Sequence, residues 1–123
     1  MADSIELTTV FISAPQGHSR GREGLDLLML NASYERVCAA LFVGDGVYQL
    51  VAGQQPQLTG NKDHSVTFKA LPLYDVERIV VCQQSLQERQ LAVADLLLAD
   101  TLEIAEPSAI QALLSHSKEI LTF

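Results

Sequence analysis

The chain has 123 residues, 48% of them hydrophobic and 19% charged. That size and apolar content suit one folded domain over residues 1–123, able to bury roughly two thirds of its unfolded surface, and exclude a disordered chain. A net charge of −7, eight Lys plus Arg and no Trp exclude a protein that grips nucleic acid by itself, because such affinity comes from neutralising phosphates and stacking bases.

Ile5 to Ala14 is rich in β-branched and aromatic residues and stops at Pro15, which predicts a central first strand. Pro15 to Gly21 carries turn residues and predicts a loop. A helix follows from about Arg22 to Tyr34, with Leu25, Leu28, Met29 and Ala32 spaced as a buried face. Leu27 and Leu30 widen that face enough for a second contact, with a partner chain as one candidate. Val37 to Gly44 is the second strand. Asp45 is placed to cap a short helix in which Val47, Leu50 and Val51 face one way and which Gly53 closes. Gln54 to Asn61 is a polar loop of the length that is often mobile or functional.

His64 to Leu71 predicts a short helix ended by Pro72. Ile79 to Val81 is a continuous β-branched run without polar alternation, the pattern of a parallel strand buried on both faces. Ser85 and Glu88 stand at capping-box spacing, so a helix begins either directly after Cys82 or at Ser85, and runs to about Leu91. Asp95 to Ala99 fits helix or strand. Thr101 to Ala105 alternates like a half-exposed strand with Leu102 and Ile104 on one side. Pro107 and Ser108 open a helix with Ile110, Leu113 and Leu114 as its buried stripe, and Lys118 to Phe123 is the last strand. Strands alternating with helices predict a three-layer, doubly wound α/β fold: a mainly parallel five-stranded sheet with helices on both faces.

Cys82 is the candidate catalytic residue. It stands where a parallel strand gives way to a helix, the end of an α/β sheet at which ligands and chemistry collect. A helix N-terminus there favours negative charge on the sulfur. The alternative is a packed core cysteine, which is how Cys38, between apolar neighbours in the second strand, is read. Arg78 and Arg89 are near Cys82 in sequence, without that fixing their place in space. Gly17 to Gly24 follows a strand and opens a helix, as an anion-binding loop does, but lacks the Lys-Ser/Thr of a P-loop and the dinucleotide fingerprint. A flexible turn is the simpler reading. His18, His64 and His116 have no metal-ligand spacing, and no cofactor is called for. No stretch reaches the ~20 apolar residues of a membrane helix. The first residues lack a secretory n-region, and two cysteines make no disulfide framework, so the expected location is cytoplasmic.

Several segments together resemble the TusC/DsrF family: Gly21-Arg22-Glu23-Gly24-Leu25-Asp26, Gly44-Asp45-Gly46-Val47-Tyr48-Gln49-Leu50, Thr67-Phe68-Lys69-Ala70-Leu71 and Leu73-Tyr74-Asp75. Val81-Cys82, Ser85-Leu86-Gln87-Glu88-Arg89 and the closing Ile120-Leu121-Thr122-Phe123 complete the set, which spans nearly the whole chain. The resemblance implies the DsrE-like fold. It also implies a cytoplasmic complex with TusB- and TusD-like subunits (DsrH and DsrE in sulfur oxidisers), arranged as a dimer of heterotrimers. In that relay persulfide sulfur passes from a desulfurase through TusA and TusD to TusE, and ends in 2-thiouridine at the tRNA wobble position. The family's sulfur-carrying cysteine belongs to the TusD-type subunit, at the strand-to-helix position that Cys82 occupies here. Gln90 stands where a glycine usually follows Glu-Arg, which bears on where that helix ends.

Three functions of different class therefore stand as expectations. The first is a mainly structural subunit of the relay, not catalytic alone; the second is a sulfurtransferase with Cys82 as persulfide carrier. The third and weakest is an anion or nucleotide binder using the Gly17–Gly24 loop. The use in tRNA thiolation and the use in sulfur oxidation share one subunit pattern.

Overall fold

The computed structural model describes residues 4–14, 20–51, 71–74, 76 and 78–123, with the backbone alone for 72 and 73. The expected loop of Gln54 to Asn61, most of the expected helix of His64 to Leu71, and His18 and His64 lie outside the described residues. Five strands form the sheet: β1 (Ile5–Phe11), β2 (Cys38–Phe42), β3 (Arg78–Cys82), β4 (Glu103–Ala105) and β5 (Ser117–Thr122). Their order is β4-β3-β2-β1-β5, and every pairing is parallel. The first strand is interior, paired on both sides, but the middle place belongs to β2 and not to β1 as its composition predicted.

The chain marches from β1 to β4 in one direction, so right-handed crossovers put their helices on one face. Helix α1 (Arg20–Ser33), the 3-10 helix Gly44–Leu50, the short 3-10 helix Leu71–Tyr74 and helix α2 (Gln83–Glu88) lie there. Leu25, Leu28, Val47, Leu50, Leu71 and Leu86 pack on Leu7, Phe11, Cys38, Ala40, Phe42, Ile79 and Val81. The last crossover returns past β1 to β5, and its helix α3 (Pro107–Ser115) therefore falls on the other face. Leu113, with Ile110 and Leu114, covers Ile5, Val10, Ala39, Leu41, Val80 and Ala105 there. Both layers explain why Ile79, Val80 and Val81 are all buried, the reason for a run without polar alternation.

The central junction is unusually close. Val43 N–H donates to the Phe11 carbonyl at 3.0 Å, and the Phe11 and Phe42 rings stack with centroids 4.8 Å apart. A Cβ at Gly46 would stand inside contact distance of that same Phe11 carbonyl. Gly24 faces the rings of Phe11 and Phe123, each 2.8 Å from where its Cβ would be. Glycine at these places admits backbone against backbone and helix against strand.

Three local readings change. The helix predicted from Arg22 starts at Arg20, so Gly21 belongs to α1 and not to the loop before it. Asp45 is not a cap: the N-cap of Gly44–Leu50 is Val43, without a side-chain bond. The ambiguous stretch Asp95 to Ala99 is neither helix nor strand: Asp95 ends the 3-10 turn Val93–Asp95, Leu96 makes a single antiparallel bridge to Val51, and a turn follows.

Helix α2 stops in a Schellman arrangement, with Leu91 N–H on the Leu86 carbonyl at 3.0 Å and Gln90 N–H on the Gln87 carbonyl at 3.1 Å. Gln90 holds φ +55° there, the left-handed position that glycine fills without steric cost. Gln90→Gly is expected to raise stability in urea unfolding by about 1 kcal/mol. Gly46→Ala is expected to lower it by about 2 kcal/mol or more, because the obstacle is backbone and cannot rotate away.

Candidate functional site

The three βα junctions after β1, β2 and β3 share one rim of the sheet, and Cys82 is the last residue of β3. Its backbone (φ −71°, ψ 118°) is still extended, and α2 begins at Gln83 with Cys82 as N-cap. Of the two helix starts open to the sequence, the one directly after the cysteine is observed. Cys82 Sγ accepts a hydrogen bond from Ser85 N–H at 3.4 Å, the bond a capping oxygen makes in other helices. The residue is 7% exposed and pairs laterally with Ala105 on β4.

Ser85 and Glu88 do not form the predicted capping box. Ser85 sits in the first turn of α2, 5% exposed. Its hydroxyl accepts from Gly44 N–H at 2.8 Å. Arg89 extends the same tie: Nε and Nη2 donate to Asp45 Oδ1 at 3.2 and 3.0 Å, and Nη1 donates to the Ser85 carbonyl at 3.2 Å. Gly44, at φ +59°, turns the chain so that its N–H and the next side chain both face α2. The two helical segments after β2 and β3 are thus stitched at consecutive residues, Gly44 and Asp45, and the thiol is bound on the inner side of that seam. From the sequence Ser85 reads only as a cap of its own helix, and Gly44 only as the end of the second strand. The signals were Gly-Asp-Gly at a strand end and the i,i+4 spacing of Ser85 and Arg89.

Arg78 is not part of the seam. It opens β3, at the far end of the strand from Cys82, and its Nε and Nη2 make a bidentate pair with Glu103, both at 2.9 Å. That hydrogen-bonded carboxylate holds the Arg78 guanidinium above its ordinary pKa. Cys38 is fully buried on β2. Burial pushes its thiol up, with Arg36 drawing it back in part and Glu6 adding to the rise. It is a packing residue that stays protonated at neutral pH.

The candidate anion loop splits. Its residues 17–19 lie outside the described residues, while Gly21 packs against the Gln49 carboxamide, and Gly24 against two aromatic rings. Gln49 itself is 1% exposed and donates to the Ser13 carbonyl at 2.8 Å. Both described glycines are thus accounted for by close packing. His116 Nδ1 lies 2.7 Å from the Ala112 carbonyl. Among the described residues no group of His, Cys, Asp and Glu could hold a metal ion, and no helix is long and apolar enough to cross a membrane.

Comparison with known proteins adds to this geometry. The DsrE/DsrF-like family model matches residues 6–123. "Protein TusC homolog" of Vibrio vulnificus (strain CMCP6) is 44% identical over 118 residues, covering 96% of this chain and 98% of that protein. "Protein TusC" of Klebsiella pneumoniae (strain 342) is 40% identical over 114 residues, covering 93% and 95%. Among solved structures, that of the ychN protein from E. coli superposes with a TM-score of 0.81 over 97% of this chain and 99% of that one. At 19% identity it speaks for the fold alone.

The two thiols should differ under native alkylation at neutral pH: iodoacetamide is expected to label Cys82 slowly and Cys38 only on unfolding. Peptide mass mapping reads the order, and Cys38 labelled first would contradict the packing described.

Proposed function

The chain belongs to the DsrE/DsrF-like family, in its TusC/DsrF branch, and from that premise we propose that it is the TusC-type subunit of a sulfur relay leading to 2-thiolation of tRNA wobble uridine. The observation that carries this reading is the match to TusC proteins at 40–44% identity along nearly their whole length. The sulfur-oxidation alternative draws no such support, because the relatives carry the TusC name. Its place is within a complex with other Tus subunits. In finer detail, the partners are TusB- and TusD-like chains in a dimer of heterotrimers, with TusA- and TusE-like carriers delivering and removing sulfur. The setting is the cytoplasm, and the chain takes part as one domain over 1–123.

The role within the complex is mainly structural. A persulfide carrier needs a sulfur that a donor can reach, because transfer proceeds by in-line attack of one sulfur on another. Cys38 is fully buried and Cys82 is 7% exposed, with Ser85 N–H on its sulfur. The net charge of −7 leaves tRNA to other factors. The specific observation in favour of the carrier reading is the position of Cys82 at the head of α2. In that reading the Cys82 thiolate attacks the terminal sulfur of a donor persulfide, a new S–S bond forms, and the donor leaves as a thiolate. The first turn of α2 has to move for that attack.

One experiment separates the readings. In cells lacking the native gene, this chain is supplied with its sister subunits, and 2-thiouridine is measured in tRNA. Deletion of the chain is expected to abolish the modification, and unchanged thiolation would remove the assignment. Cys82→Ser is expected to keep at least half of the wild-type level; a fall to the deletion level, with the complex still assembled, would transfer the role to the carrier reading.

A further inference from the structure

We draw no further inference here: the strongest candidate, the apolar patch that Leu30 on α1 and Tyr34 just beyond its end leave exposed, has nothing in the structure to show what covers it.

Discussion

The approach of Gly46 to the Phe11 carbonyl is the contact on which the rest of the rim depends. Phe11 ends β1, and its carbonyl already accepts Val43 N–H from the neighbouring chain exit. With no Cβ at Gly46, the 3-10 helix Gly44–Leu50 settles directly on that backbone. Gly44 and Asp45 are thereby presented to α2, one through its N–H and the other through its carboxylate. The position of α2 follows, and with it the N–H that Ser85 offers to Cys82. A single close backbone contact at the rim of the sheet thus reaches the thiol through three short links.

This arrangement has a consequence for chemistry. The ties across the seam are of unequal strength. The Arg89–Asp45 pair is partly exposed, with side chains 21% and 60% accessible, and pairs of that kind contribute at most about 1 kcal/mol. The Ser85–Gly44 bond involves a buried hydroxyl, and breaking one partner of a buried bond costs roughly 1–3 kcal/mol. The seam is therefore held more by the buried serine than by the visible ion pair. A thiol behind it is shielded in the resting fold, which suits the structural role proposed for the subunit.

The sheet was legible in the residues because burial on both faces leaves a mark. Ile79 to Val81 is β-branched without polar alternation, the composition of a strand covered on both sides. The position of Cys82 at a strand exit followed from that run. Local capping patterns were less reliable, because tertiary contacts claimed the same atoms. Ser85 and Glu88 had the spacing of a box, but the hydroxyl is taken by Gly44, far away in sequence. Asp45 had the look of a cap, but its carboxylate is taken by Arg89. Gln90, although it carries a side chain, adopts the left-handed turn that ends α2. The degree to which Cys82 is buried could not be read locally, since it is set by chain segments that meet only in the fold.

The proposed TusC-type subunit shapes the relay without carrying sulfur itself. Mass spectrometry of the co-expressed complex, taken during sulfur flux from a desulfurase, tests that most directly. The expected spectrum shows the peptide containing Cys82 unmodified while a sister subunit gains the mass of one sulfur atom. A persulfide on Cys82 that appears and is discharged at the rate of relay turnover would contradict it.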